Sequence, residues 1–398
     1  MILRSIGKSP AAILLWIFLG VHAARAVTFQ TSYPTEFSKI IDTNAVLTTN
    51  AIMTNIWLEG PTWIPAVPAS NGYLVFCNQD SNKLQKLVPP TNVTDFLLPP
   101  ANTKFNGTLL DAQERLICAE AGSAGQRISM ISNGIVTPLV TNWNGLKFYS
   151  PNDVAVKSDG TIWFTDPGYN SGITRPHAGY PSNYCVYQFH PTNANATCRP
   201  VITNGIVRPN GLCFSPDETK LYVADSDGGQ PHIRAYSVTS SNTLINGTNF
   251  PNITTGSPDG IKCDVDGRVW SSGGDAIYIF AADGRLIGKI IYGLTVNFCW
   301  GGPQYKTLYI VGRPLVTSIP VLVSGTASMK KLQSTFDGNQ LNLSWPAPST
   351  GFALQETEQL NPPAAWTNSP LTVTTTNGQK MVNVDATNSA KFFRLRLN

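Results

Sequence analysis

The chain has no G-x-S-x-G elbow, no phosphate-cradling glycine loop and no dinucleotide fingerprint, which leaves serine hydrolases and nucleotide enzymes without support. It has no C-x-x-C and no Cys/His metal spacing, so its seven cysteines do not announce a zinc cluster. Helical periodicity is hard to find between residues 55 and 325. Beyond residue 26 no run is long and apolar enough to anchor the chain in a bilayer. The first 26 residues do contain an apolar run, but one too short to span a bilayer comfortably. Arg4 and Lys8 precede "AAILLWIFLGV", and Ala24-Arg25-Ala26 follows as a small-residue cleavage site. A signal peptide over 1–26, cut after Ala26, is expected, and with it a secreted or periplasmic protein. Its removal takes the formal charge from +4 to +1, so the basic balance belongs to the leader. No nucleic-acid partner and no membrane partner is implied.

The cysteines lie between Cys77 and Cys299, and their odd number leaves at least one thiol free. Cys185 and Cys198 flank the turn in "CVYQFHPTNANATC", so a cross-strand disulfide is expected there. The others sit in apolar strand contexts and read as buried thiols.

What the sequence does have is a repeat. "YLVFCN" (73–78), "RLICAE" (115–120), "TIWFTD" (161–166), "KLYVAD" (220–225), "RVWSSG" (268–273) and "TLYIVG" (307–312) are six short β-rich runs, each ahead of a polar or glycine break. Another strand precedes each run, and it opens on a polar residue: Glu59 in "EGPTW", Asn106 in "FNGTL", Asn152 in "SPNDVAV", Asn210 in "RPNGLCF", Asp259 in "SPDGIKC" and Asn297 in "VNFCWGG". These openers recur every 38 to 58 residues. Repeats of that length, rich in short strands and Asx-Gly turns, indicate an all-β, six-bladed β-propeller, placed at residues 27–325. Residues near 40–55 are expected to supply the outer strand that closes the ring.

In such a blade the first strand lines the central channel and the second runs antiparallel to it. The six openers therefore form a polar ring at one channel mouth, with Glu120, Asp166 and Asp225 near the same rim. Asn-Gly is also a common turn signal, and Asn71-Gly72, Asn133-Gly134 and Asn204-Gly205 read as turns. The openers differ from these in preceding the innermost strand. Two carboxylates and several amide oxygens make a hard oxygen site, which suits Ca²⁺ first, with Mg²⁺, Mn²⁺ and Zn²⁺ as the other candidates. A divalent ion with open positions could polarise a carbonyl.

"LEGPTW", "SPNDVAVKSDGTIWFTDPGY", "RPNGLCFSPDETKLYVADS", "HIRAYSV" and "SPDGIKCDVDGRVW" together resemble the gluconolactonase/regucalcin (senescence marker protein) family of six-bladed propellers, over roughly residues 40–325. The resemblance implies a metal-dependent lactonase acting on a small-molecule sugar lactone. It implies Glu59, Asn210 and Asp259 as ligands of one divalent metal. It implies Asn152 against the metal's water or the substrate, and Asp259 as the carboxylate that accepts and returns a proton. The expected metal set is thus Glu59, Asn152, Asn210 and Asp259. The expected substrate contacts are Asn106, Asn152, Asp166 and His177, the last in the long segment after Asp166. Two departures touch the pocket: Ser150 stands where animal members carry arginine, and Ala121-Gly122 where bacterial members carry His-Gly.

After Gly325 the hairpin repeat stops, and short strands with alternating Trp, Leu, Phe and Val point to a β-sandwich module over 326–398, immunoglobulin- or fibronectin-like. Attachment to a surface or to carbohydrate is one role open to it, with Trp345 and Trp366 as the candidate exposed aromatics and core packing as their alternative. Two other functions share the ring: a different ester or phosphotriester hydrolase, and a non-catalytic Ca²⁺-binding propeller scaffold.

Overall fold

Six of the expected hairpins do pair, each into its own antiparallel sheet. The computed structural model describes residues 24–25, 27–53, 57–65, 72–169, 184–251, 253–293, 295–326, 332–346, 352–360, 365–376, 379–385 and 391–397. The expected leader (residues 1–23 and 26) and His177 lie outside them. Sheet 1 runs Leu58–Ile64, Tyr73–Asn78, Lys83–Val88 and Asn92–Leu97 from the inside outward. Sheet 2 begins with Phe105–Leu110, sheet 3 with Val154–Val156, sheet 4 with Pro209–Phe214, sheet 5 with Ile261–Cys263 and sheet 6 with Thr295–Gly301. Each first strand packs against the first strand of the next sheet, and that of sheet 6 packs against that of sheet 1, so the ring closes.

Closure uses both ends of the repeat region. In sheet 6 the strand Leu315–Pro320 takes Leu47–Ile52 as its outer neighbour, with Leu315 opposite Ile52 and Ser318 opposite Thr48. That is the strand expected from residues near 40–55. A second N-terminal strand, Thr28–Thr31, adds to the outer edge of sheet 5 against Leu286–Ile291, which the repeat gave no reason to expect.

Aromatic residues at one repeated position join neighbouring sheets. Trp163, Trp270 and Tyr309 are the third residues of "TIWFTD", the "RVW" run and "TLYIVG", on second strands. Each meets an aromatic ring on the innermost strand of the next sheet: Phe214 at 5.4 Å, Trp300 at 5.1 Å and Trp63 at 5.2 Å between centroids. Such a pair contributes about 0.5–1.5 kcal/mol beyond the area it buries. The β-branched and aromatic bias of these runs thus builds the hairpin and the contact between hairpins.

The expected Cys185–Cys198 disulfide is not formed; both thiols are reduced and buried. The register explains it. Val186 lies opposite Ile202 and Gln188 opposite Arg199, so Cys198 follows on to Phe189 and sits four residues from the level of Cys185. Four residues of strand are roughly 13 Å, beyond the ~7 Å Cα reach of a disulfide.

The C-terminal segment forms two further sheets. One joins Gln333–Asp337, Gln340–Pro346, Gln379–Asp385 and Thr374–Thr376; the other joins Thr367–Asn368, Phe352–Thr357 and Phe392–Leu397. They share a small core of Leu343, Trp345, Leu354 and Val382, so Trp345 is packing rather than a sugar platform. Trp366 is half-buried, with the Arg394 guanidinium 4.2 Å above its ring. Among the described residues no helix is long and apolar enough to cross a membrane.

Candidate active site

The polar openers do not stand at ordinary strand positions. The pairing of first and second strand slips between Glu59 and Thr62, between Phe105 and Thr108, between Pro209 and Leu212, and between Thr295 and Asn297. A bulge at each of these points turns a side chain out of the sheet. Sheets 3 and 5 reach the same result by starting their first strands after Asn152-Asp153 and Asp259-Gly260.

Of the four glycines that follow openers, Gly60 sits at φ +52° and the other three have a different task from turn glycines. Gly134 and Gly205 sit at φ +76° and +71°, as tight turns require. Gly107, Gly211 and Gly260 are not in that region; they are places where one sheet touches the next. A Cβ on Gly107 would lie 2.4 Å from Asp153 Oδ1, on Gly211 2.2 Å from the Asp259 carbonyl, and on Gly260 2.4 Å from Asn297 Oδ1. Gly107 N–H donates to the Asn152 carbonyl at 2.6 Å, and Gly211 N–H to that of Asp259 at 3.2 Å. Thr165 Oγ1 donates to the Asn210 carbonyl at 2.7 Å, linking sheet 3 to sheet 4. The Asn297 amide donates to Glu59 Oε2 at 3.3 Å, linking sheet 6 to sheet 1. The six openers are thus brought into one ring.

Within it Glu59, Asn106, Asn152, Asn210 and Asn297 are buried, and Asp259 is partly exposed. Glu59 also accepts from Trp57 Nε1 at 3.4 Å and from Gly60 N–H at 3.2 Å. Burial, and then the nearby Asp153 carboxylate, push the Glu59 carboxyl up to about 7. Burial, with Glu59 and Asp153 adding repulsion, pushes Asp259 well above the usual carboxylate range, against the pull of Lys262 and the Asn210 amide. Asn210 is steadied from outside by donating Nδ2 to Ser226 Oγ at 2.9 Å. Lys262 answers one of these three acids directly, its Nζ standing 3.3 Å from Asp153 Oδ2.

A divalent cation fits this set. The buried oxygens Asp259 Oδ1 and Asn106 Oδ1 have no hydrogen-bond partner, an arrangement that costs about 1–3 kcal/mol per group unless something is bound there. Among the described residues no group of three or more His, Cys, Asp or Glu side chains is arranged to hold a metal, so the donors on offer are two carboxylates plus amide oxygens. Oxygen-only donors suit Ca²⁺, Mg²⁺ or Mn²⁺ better than a soft ion.

Asp166, expected against substrate, is placed otherwise. Its two oxygens accept from the backbone N–H of Tyr149 (2.9 Å) and Ser150 (2.6 Å), and it is 1% exposed. Asp225 does the same for Val207 and Arg208, at 2.7 and 2.8 Å. Both carboxylates hold the loop that leads into their own sheet's first strand, so we leave Asp166 out of the substrate set. Glu120 is likewise buried, with Arg127 Nε at 2.9 Å. Ser150 and Ala121, the two departures noted in the sequence, touch one another: Ser150 Oγ donates to the Ala121 carbonyl at 2.9 Å, and both are buried.

The residues that sequence reasoning missed are Asp153, Lys262 and a shelf made by Arg208. Its guanidinium lies 5.0 Å from the Tyr169 ring centroid and 5.1 Å from that of Tyr184. Tyr169 is 40% exposed and feels the Asp259 charge, which after burial is the main influence raising its hydroxyl pKa. The signal available was the repeated position itself: Arg208 stands two residues before Asn210, as Ser150 stands two before Asn152.

The pattern of the SMP-30/Gluconolactonase/LRE-like region matches residues 57–312. The gluconolactonase of Zymomonas mobilis is 31% identical over 283 residues, covering 64% of this chain and 75% of that protein. A solved gluconolactonase from Xanthomonas campestris superposes with a TM-score of 0.65 at 28% identity, covering 76% of this chain and 99% of its own. Regucalcin from Agrobacterium tumefaciens, described as calcium-binding, gives a TM-score of 0.54 at 18% identity over 69% of this chain and 93% of its own, a likeness of fold. Running from just before Glu59 to the last residue of Thr307–Gly312, and so across all six sheets, the match shows that the chain belongs to the SMP-30/Gluconolactonase/LRE-like family.

Proposed function

We propose that this protein hydrolyses a sugar lactone to the hydroxy acid, using one divalent cation, Ca²⁺ first, held by Glu59, Asn152, Asn210 and Asp259. The observation that carries the reading is the ring of openers, with crowded carboxylates and unpartnered oxygens at its centre. The two gluconolactonase relatives support the substrate class. The cation, when bound, would supply Lewis-acid polarisation of the lactone carbonyl.

The chain's own groups do the remaining work. Asp259 accepts a proton from the attacking water as its oxygen bonds to the carbonyl carbon. The amide N–H groups of Asn152 and Asn106 face the carbonyl oxygen as it gains negative charge. The bond to the ring oxygen then breaks, Asp259 returns its proton to that oxygen, and the product leaves as hydroxy acid. Glu59, steadied by Asn297 and Trp57, holds the cation without taking part in proton transfer.

The test is acid release from D-glucono-1,5-lactone by the purified protein, before and after chelation and with Ca²⁺, Mg²⁺, Mn²⁺ or Zn²⁺ restored. Activity is expected to vanish on chelation and to return with one of these ions. Hydrolysis indifferent to chelation would remove the cation from the reading. Tight cation binding with no hydrolysis of any lactone or ester would leave a scaffold.

The Arg208 shelf gives a second expectation. With Ser150 turned into the wall, the substrate's hydroxyl groups need another donor, and Arg208 is the cation beside Tyr169. Arg208→Met is expected to raise KM about tenfold with kcat within about twofold, the mark of lost ground-state binding. A fall in kcat alone would place Arg208 elsewhere. Secretion is likewise a proposal: N-terminal sequencing of the exported protein should begin at Val27, directly before the strand Thr28–Thr31.

A further inference from the structure

The far end of the channel, away from the opener ring, holds a cavity of about 220 Å³ walled in part by Trp63, Cys213, Lys262, Cys263, Cys299 and Trp300. It does not include Glu59, Asn210 or Asp259, and shares with the proposed site the side chain of Lys262. Two thiols meet on its wall. Cys213 Sγ and Cys263 Sγ are 3.8 Å apart, from positions 50 residues apart in sequence. Both are buried, with Cys213 keeping 6% exposure and Cys263 none. Cys213 belongs to Pro209–Phe214 and Cys263 to Ile261–Cys263, the innermost strands of sheets 4 and 5.

We propose that Cys213 and Cys263 are a modification site, a thiol pair that a small disulfide converts into a covalent bridge between sheets 4 and 5. The sulfurs are already in van der Waals contact, and a disulfide needs them at about 2 Å. The step balances as one exchange reaction. Cys213, the more exposed of the two thiols, loses its proton and attacks the reagent's S–S bond, releasing one thiol. Cys263 then attacks the mixed disulfide, forms the Cys213–Cys263 bond and releases the second thiol. Two protein thiols are oxidised and one disulfide is reduced to two thiols.

The bridge would tie the two strands that lead to the site. Asn210 lies three residues from Cys213, and Asp259 four residues from Cys263. At the mouth end the same strands are joined only non-covalently, through Gly211 N–H to the Asp259 carbonyl. A link at the other end would fix the spacing between them from below. The register that separates Cys185 from Cys198 by four residues has no counterpart here, because these two cysteines face one another between sheets rather than along one hairpin.

The experiment treats the reduced, folded full chain with 2,2′-dithiodipyridine, then denatures it, alkylates what remains and maps the peptides. Free thiols are expected to fall from seven to five, with a linked peptide joining Cys213 to Cys263. Closing a loop of this size should raise Tm by roughly 5 °C. Amide exchange in 209–214 and 261–263 should slow. Seven thiols still free, a mixed disulfide that never closes, or a bridge mapping to another pair would overturn the proposal. A bridge that left exchange in both strands unchanged would overturn the tie between them. Cys213→Ser and Cys263→Ser should each abolish the linked peptide, and the measurements on the unaltered chain stand even where a variant fails to fold.

Discussion

On the proposed mechanism, Asp259→Asn should lower kcat for lactone hydrolysis by at least about 10³-fold, because an amide cannot accept the proton that the attacking water must lose. The same change should weaken cation binding, since it removes one of the two proposed carboxylate donors. Its effect on the folded chain should have the opposite sign. Asp259 is crowded by Glu59 and Asp153, and burial disfavours its charge further. Replacing it with a neutral isostere removes that repulsion. The cation-free variant should therefore melt above the cation-free parent, while the cation-loaded variant loses most of the rise in Tm that the cation gives the parent. Activity assays, calorimetric titration of the cation and paired melting curves check the three parts. A variant that stays active would remove Asp259 from proton transfer. One that melts lower in both states would mean its carboxylate is structural.

Gly211→Ala should destabilise the protein by about 3 kcal/mol or more, and the cause lies between sheets rather than in backbone freedom. The added Cβ would meet the Asp259 carbonyl at 2.2 Å and the Ile261 N at 2.9 Å, both backbone atoms with no rotamer to yield. Relief requires sheets 4 and 5 to part at the mouth, which moves Asn210 from Asp259. Tm should fall by roughly 4 °C or more, and cation affinity should fall with it. Gly228→Ala is the control. Nothing lies within 4 Å of its Cβ, and its backbone is not in the left-handed region, so it should change Tm by about 1 °C or less. Equal effects of the two substitutions would refute the inter-sheet account.

Much of this architecture was readable in the sequence because the repeat is carried by local features. Each hairpin has its own β-rich run and polar break, so six sheets, the closing strand near 40–55 and the six openers could be placed without knowing any long-range contact. The openers of sheets 1 to 6 all arrive at the mouth because bulges and strand starts recur at the same point of the repeat. What could not be read depends on register and on neighbours far along the chain. Cys185 and Cys198 look paired when counted from the turn, yet a bulge between Val186 and Tyr187 and a short helix at Ala194–Thr197 set them at opposite ends of the hairpin. Asp166 looks like a rim carboxylate, but whether it meets substrate or the backbone depends on where the loop at Tyr149 and Ser150 falls. Lys262 reads as an outward residue of a short strand, and only closure of the ring brings Asp153, over a hundred positions away, within 3.3 Å. Cys213 and Cys263 belong to the same class: nothing in either repeat announces the other.

The pairing of Leu47–Ile52 with Leu315–Pro320 also fixes an order of events during synthesis. Ile52 leaves the ribosome early, but its partner Leu315 follows more than 260 positions later. At about 5–20 residues per second, the early strand waits roughly 13–50 s with one edge unpaired. Sheets 1 to 5 can build their own hairpins in that interval, since their first four strands are contiguous in the chain. The sixth cannot, and bringing its outer strand home carries the largest loop-closure entropy in the propeller. Nascent chains stopped before residue 315 should therefore hold five sheets and a waiting N-terminal strand, a state with a sticky edge that a chaperone or a neighbouring copy could occupy.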